Sequence, residues 1–260
     1  MRRFCYKCGA SEAEKGPLIQ GLCQTCFMEE NPLIRAPSEI QVSICGKCKA
    51  YLVDNRWHEP SNFESALEDA VRAAVLSELR FAQLTPAGMK SLRQHGVREL
   101  ELRVEPKLTA GEVVVDVDVR GKVHELQVRP HVEHVKIVVK PMWRTCDVCG
   151  LISAGHHDAI LQVRSKGMSA EERGKIKLML ERCAAEVHKQ DRAAFIAKVE
   201  EKKGGLDLYV NPTGLAKKMA TLLKAKFGAD ISETAKLIGM ERGGKRKFKV
   251  SVLARLSDRG

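Results

Sequence analysis

Eight of the nine cysteines fall into four Cys-x-x-Cys pairs: CYKC (Cys5, Cys8), CQTC (Cys23, Cys26), CGKC (Cys45, Cys48) and CDVC (Cys146, Cys149). Two residues between thiolates let a single turn present both sulfurs to one ion, so each pair supplies half of a tetrahedral zinc site. Four halves predict two four-cysteine sites and two zinc ions per chain. A disulfide oxidoreductase would need one such pair beside a thioredoxin-like βαβ pattern, and four scattered pairs do not provide that. Ferredoxin-type spacings for an iron–sulfur cluster are also absent. No apolar signal segment precedes Cys5, and no run reaches the ~20 apolar residues of a membrane span. The chain therefore reads as cytoplasmic, where disulfides are rare and paired cysteines more often hold metal.

Four half-sites can be joined in three ways. The first two are separated by 14 residues, which favours Cys5, Cys8, Cys23 and Cys26 as a local zinc ribbon. Cys45 and Cys48 must then meet Cys146 and Cys149 across 97 intervening residues, closing a whole domain at its base. His156 and His157 could replace a ligand, but eight thiols already complete the set. Cys183 shares a helical stripe with Ile176, Met179, Leu180 and Val187 and reads as a small buried hydrophobe.

The expected fold class is α+β: a zinc ribbon over residues 1–40, a zinc-closed α+β domain over 41–155, and a basic α+β domain over 156–260. In the middle segment, Ser61 and Glu64 have capping-box spacing before an apolar stripe, predicting a helix over 63–84. Thr85-Pro86 ends it, and a short helix is expected over 87–95. VRELELRVEP, EVVVDVDVR and VHELQVRPHVEHVKIVVK alternate as antiparallel strands, with turns at 109–111 and 121–122. Glu99, Glu101, Asp116 and Asp118 could be imagined as an acid/base pair, but alternating acids on a strand usually form a solvated sheet face. In the last segment, DAILQVRS reads as a strand. Ser169 and Glu172 open a long basic helix to about residue 201, and LDLYV is a short strand. Asn211-Pro212 starts a helix stopped by Gly228, and two strands follow, giving the order β-α-β-α-β-β.

Charge is unevenly placed. Residues 1–140 hold 20 Lys and Arg against 19 Asp and Glu, whereas residues 141–260 hold 24 against 14. The basic excess of the second half predicts a phosphate-rich partner. Arg242, Lys245, Arg246, Lys247 and Lys249 concentrate on the final hairpin and are the candidate RNA contacts. A solubilising edge strand is the plainer account of the same lysines. RRM, KH and aromatic-ladder signatures are absent, which points to shape and backbone recognition rather than base reading.

The four spaced pairs, with Tyr51 and Trp57 after the third, resemble the nonsense-mediated decay protein 3 family. GLCQTCFMEENPLI, PSEIQVSICGKCKAYLVDNRW, CDVCGLISAGHHDAILQVRSKG and GLDLYVNPTGLAKKMATLL carry the resemblance over almost the whole chain. It implies a non-enzymatic adaptor of the kind that takes the large ribosomal subunit out of the eukaryotic nucleus. Such proteins bind the subunit's intersubunit face, contacting rRNA, ribosomal proteins and the subunit anti-association factor. The chain given ends at Gly260 without a leucine-rich export signal, which suits an archaeal-type homologue acting in assembly or quality control. It is expected to act as a monomer and away from membranes. The competing classes fit less well. A RING-like ligase needs eight interleaved ligands in a short span. A zinc hydrolase needs an open coordination position. The alternative function, a transcription-type zinc ribbon binding nucleic acid, is compatible with the first site but not with two α+β domains.

Overall fold

The computed structural model describes residues 3–85, 88–92, 101–109, 112–240 and 246–257. Its contacts separate the chain into two units, Met1–Cys146 and Asp147–Gly260. Unit 1 runs α1 (Glu12–Lys15), α2 (Gln24–Glu30), β1 (Ile34–Arg35), β2 (Glu39–Cys45), β3 (Tyr51–Val53), β4 (Arg56–His58) and α3 (Ala66–Glu78). It continues with β5 (Arg80–Thr85), β6 (Gly88–Leu92), β7 (Glu101–Thr109), β8 (Glu112–Gly121) and β9 (His131–Arg144).

The alternation read in EVVVDVDVR is realised in β8, where Val113, Val115, Val117 and Val119 all point into the core. Each such valine contributes about 1.5–2 kcal/mol by leaving water. They cluster with Ile137 and Val139 of β9 and Val42 and Ile44 of β2 in the same sheet, and with Ala70, Val71, Ala74 and Val75 of α3. Six strands make this sheet, in the order β4-β3-β2-β9-β8-β7; the β2–β9 pair is parallel and the others are antiparallel. A second sheet, β1-β5-β6, sits beside it in the same unit. The Glu133 carboxylate at the start of β9 accepts the N–H groups of Leu33 and Ile34 at 2.6 and 3.1 Å. Gln24 of α2 accepts from Val128 at 3.2 Å, a second tie between the cysteine-rich N-terminus and the sheet.

Several expected elements are corrected. The helix expected over 63–84 is shorter, because Ser65 rather than Ser61 precedes it and the Ser61 amide donates to Asp69 instead. Phe63 is consequently exposed, and Leu79 turns extended so that Phe81 and Ala82 enter a strand and are buried there. The helix expected over 87–95 is also replaced: residues 88–92 form strand β6, paired with β5. Residues 86–87 and 93–100 lie outside the described set, and with them Glu99 and the start of VRELELRVEP. The long strand expected from Val123 begins only at His131. Before it, buried Gln127 accepts the N–H groups of Val123 and His124 and holds a turn.

Unit 2 runs α4 (Asp147–Ser153), β10 (Ala159–Arg164), α5 (Ala170–His188), β11 (Phe195–Lys202), β12 (Gly205–Asn211), α6 (Thr213–Phe227), β13 (Asp230–Met240) and β14 (Arg246–Arg255). Its sheet has the order β11-β12-β10-β14-β13, with β10 and β14 parallel. Ile176 and Leu180 of α5 and Leu215, Met219 and Leu223 of α6 cover Leu161, Leu208 and Val252 of the sheet. The Ser169–Glu172 capping box closes in both directions, at 3.1 and 2.9 Å. The basic helix, however, stops at His188 rather than near 201. A turn at Asp191, whose carboxylate accepts the Ala193 N–H, releases the alternating FIAKVEEK into strand β11. The order is therefore β-α-β-β-α-β-β, one strand more than expected. Asn211 ends β12 and donates to Ala193 O at 2.7 Å, leaving Pro212 to precede the helix.

Candidate metal centres

Both cysteine clusters start from the same local device. In CYKCGA, the Cys5 N–H donates to Ala10 O at 2.8 Å and the Gly9 N–H to Cys5 O at 2.9 Å. In CGKCKA, Cys45 donates to Ala50 O at 2.7 Å and Lys49 to Cys45 O at 3.0 Å. The residue after the second cysteine is left-handed in each, Gly9 at φ 71° and Lys49 at φ 63°. This turn brings the two sulfurs of a knuckle onto one side.

The other half of each cluster opens a helix. Cys23 caps α2 and Cys26 lies in its first turn, delivered by the tight Ile19–Leu22 turn. Cys146 directly precedes α4, and Cys149 lies within it. The 97-residue gap is spanned by register: β2 and β9 pair in parallel with Cys45 opposite Arg144, so Cys146 emerges two residues beyond. The Gly46 N–H to Arg144 O bond at 3.0 Å and the Cys146 N–H to Cys45 Sγ bond at 3.4 Å fasten the junction.

Within each quartet, Cys5/Cys8/Cys23/Cys26 and Cys45/Cys48/Cys146/Cys149, all four sulfurs lie within 4.8 Å of one another. Cys8 and Cys23 lie 3.7 Å apart and Cys48 and Cys146 3.6 Å apart, both far beyond a disulfide bond. They match the ~3.8 Å edge of a tetrahedron whose zinc–sulfur bonds are about 2.3 Å. In both quartets the second cysteine is exposed and the other three are buried. Each cluster is thus positioned to bind one metal ion, and two sites of four thiolates suit two zinc ions.

Electrostatics in the clusters favour a cation. Burial works to raise the Cys5 thiol, but the amides of Cys23, Cys8 and Lys7 aimed at it bring it down to about 6. At Cys45 burial is likewise outweighed, by the amides of Cys48, Cys146 and Lys47, again to about 6. Cys26 is pushed up to about 12 by burial and by the neighbouring thiols of Cys8, Cys23 and Cys5. One site thus holds a readily ionised thiol beside one that resists ionisation. A divalent cation removes that conflict by stabilising every thiolate at once.

The remaining candidates lie elsewhere. The His157 ring packs edge-on against Tyr209 and His156 lies 3.6 Å from Asp158, so neither joins a cluster. Cys183 is half-buried against the unit 2 core, and burial pushes its thiol up. Asp116 is paired with Lys107 at 2.7 Å, Asp118 with His134, and Glu101 with Arg120 at 3.8 Å, as on a solvated sheet face. Of the hairpin cations, Arg246 is exposed and Lys249 half-buried on β14, and Lys247 belongs to the same strand. Arg242 and Lys245 lie outside the described residues. One residue was missed by the sequence reading: Lys49, whose ammonium sits 4.7 Å from the Trp143 ring and 5.2 Å from that of Phe63 beside the second cluster. Its place after a Cys-x-x-Cys, where Gly9 stands in the other knuckle, was the available signal.

Two family models cover nearly all of this architecture: NMD3, N-terminal domain, over residues 5–154, and NMD3, second domain, over residues 156–256. The chain belongs to the NMD3 family. The first match contains both cysteine quartets and ends beyond α4, and the second spans β10 to β14. No curated protein sequence matches the chain. Membership makes it a ribosome-biogenesis protein of a non-enzymatic adaptor family.

Proposed function

We propose that this NMD3-family chain is a zinc-braced factor that binds the large ribosomal subunit at its intersubunit face during late assembly or quality control. What carries the reading is the tandem match of both NMD3 domains over residues 5–256, with each cysteine quartet complete inside the first. Four thiolates fill a tetrahedral ion, so the metals brace structure and offer no position to a substrate. Recognition then falls to surfaces, and the basic excess lies in the second half, 24 Lys and Arg against 14 Asp and Glu over residues 141–260.

In this reading Arg242, Lys245, Arg246, Lys247 and Lys249 meet rRNA phosphates, while unit 1 meets ribosomal proteins and the subunit anti-association factor. The protein acts as a cytoplasmic monomer. Among the described residues no helix is long and apolar enough to cross a membrane. Co-sedimentation with purified ribosomal subunits across a salt series tests the proposal. Binding is expected to the large subunit in preference to the small one and to weaken with salt. Equal binding to both subunits would reduce it to generic basicity.

A further inference from the structure

Three segments of unit 2 finish side by side at the end of β14 away from the hairpin tip. β10 ends at Arg164, β14 ends at Arg255, and the turn Lys203–Gly204 joins β11 to β12. Their backbones are stitched together: Ser165 N–H donates to Gly204 O at 3.0 Å, and Leu256 N–H to Arg164 O at 2.8 Å. Between them lies a concavity of about 360 Å³ whose rim is Lys166, Lys203 and Arg255. It adjoins, through Ser165, Lys166 and Leu256, a second concavity of about 520 Å³ that Glu172 and Lys175 also line.

The cations of the first concavity, the groove between the three segments, are of two kinds. Arg164 is consumed internally: it pairs with buried Asp207 at 2.7 Å and donates to the carbonyls of Val163 and Leu206. Lys166, Lys203 and Arg255 are exposed, and among the described residues no carboxylate pairs with them. Arg255 stands opposite Arg164 in the parallel β10–β14 register and opposite Asp230 across the antiparallel β13–β14 pair. Asp207 is taken up by Arg164 and leaves the other cations of the hollow to solvent. Three exposed cations that form no ion pair among the described residues surround one hollow, and a polyanion laid in it would be bound by all three.

We infer that this groove holds the phosphodiester backbone of an RNA strand, with Lys166, Lys203 and Arg255 each meeting a phosphate. The inference rests on the ribosome-binding reading above and adds a contact surface at the opposite end of β14 from the hairpin cations. Backbone contacts of this kind position RNA without reading its bases.

The test uses the full chain loaded with zinc and a fluorescently labelled RNA hairpin, followed by anisotropy across a salt series. Lys166→Ala/Lys203→Ala/Arg255→Ala should lower affinity ~10-fold or more near 0.1 M salt. It should also make the slope of log K against log salt shallower by roughly 2–3, as three lost phosphate contacts require. A matched removal of three charges, Lys218→Ala/Lys224→Ala/Lys226→Ala, should change affinity less than ~3-fold. Lys166→Arg/Lys203→Arg/Arg255→Lys should keep binding, which preserves the test if the alanine triple folds poorly; zinc content and melting temperature report folding.

Unchanged affinity and slope in the alanine triple, or an equal loss in the control triple, overturns the inference. So does RNA binding that survives while binding of polyglutamate is lost, which assigns the groove to an acidic protein segment. If the wild-type chain binds the RNA hairpin through these residues but does not sediment with large subunits, the ribosomal reading fails alone. If sedimentation holds and the alanine triple binds RNA like wild type, the groove fails alone.

Discussion

The Cys146 amide donates to the Cys45 sulfur at 3.4 Å, joining residues 101 positions apart. That bond stands at the end of the parallel β2–β9 pair, in which residues 39–45 face residues 138–144. Parallel neighbours cannot be joined by a short hairpin, so the intervening chain must fold and return before they meet. The second cysteine quartet sits where they finish, and a metal there cross-links the two strand ends.

Metal content should therefore be two zinc ions per chain, and Cys146→Ser should reduce it to one. Structural zinc supplies folding free energy of order 10 kcal/mol in small domains. The variant should lose several kcal/mol of stability in unit 1 and fail to keep its cooperative thermal transition. Elemental analysis beside circular dichroism measures both. A full complement of zinc in Cys146→Ser would show that the quartet is not the ligand set. A strong chelator should release the metal more readily as pH falls, because protons compete for the thiolates.

Lys49 makes a sharper comparison. It occupies a left-handed backbone position, φ 63°, that a side chain adopts at a cost of about 1 kcal/mol. Its ammonium recovers part of that cost against Trp143 and Phe63. Lys49→Ala loses the ring contacts and keeps the strain, whereas Lys49→Gly loses the contacts and the strain together. Lys49→Gly should be the more stable of the two by about 1 kcal/mol in a urea titration. Equal midpoints would mean that the turn tolerates the strain without penalty.

How far these features were legible in the sequence follows from the range of each signal. A Cys-x-x-Cys is complete within four residues, so all eight ligand candidates could be named, and the 14-residue spacing suggested the first quartet. The second quartet followed from what remained, but the parallel register that delivers it has no local signature. The alternation of β8 was readable because one face of it is fully buried. RFAQLT, by contrast, continues an apolar stripe from α3 and reads as helix. It becomes strand because it pairs with β1 and β6, 34–35 and 88–92, which no local window contains. FIAKVEEK reads as a continuation of helix for the same reason: its partner β12 alone distinguishes it from the end of α5. Lys166, Lys203 and Arg255 come from three separate segments, and only the fold assembles them round one hollow.

Gly205 is fixed by what its neighbour strand needs. A Cβ there would lie 2.0 Å from Val163 O and 3.0 Å from Arg164 Cδ, so β12 could not approach β10 while Arg164 folds across to Asp207. Gly205→Ala should cost about 3 kcal/mol in chemical denaturation, since backbone cannot step aside as a flexible side chain can. Gly214, next to which a Cβ would meet nothing within 4 Å, provides the control: as a helix residue it should gain up to about 1 kcal/mol on replacement by Ala. A cost at Gly205 no larger than at Gly214 would show that the strands can separate without loss.

Glu200 on β11 gives a pH signature independent of the metal centres. Its carboxylate is held down to about 2, first by the hydrogen bond from Lys198 at 2.5 Å and then by Lys202 at 2.8 Å, against burial that would raise it. A carboxylate depressed from an ordinary value of 4.5 contributes stability that is present above that value and lost as pH falls through about 2. The 13C carboxyl resonance of Glu200 should therefore titrate with a midpoint near 2. Lys198→Ala should move that midpoint back toward 4.5, and Lys202→Ala should do so less. A wild-type midpoint already at 4.5 would mean that the lysines do not hold the carboxylate in solution. The same Glu200 accepts the Tyr209 hydroxyl at 3.2 Å, and Tyr209 is raised first by burial and then by that negative charge. Removing the Glu200 charge should lower the Tyr209 titration, which ultraviolet difference spectra of Glu200→Gln would detect.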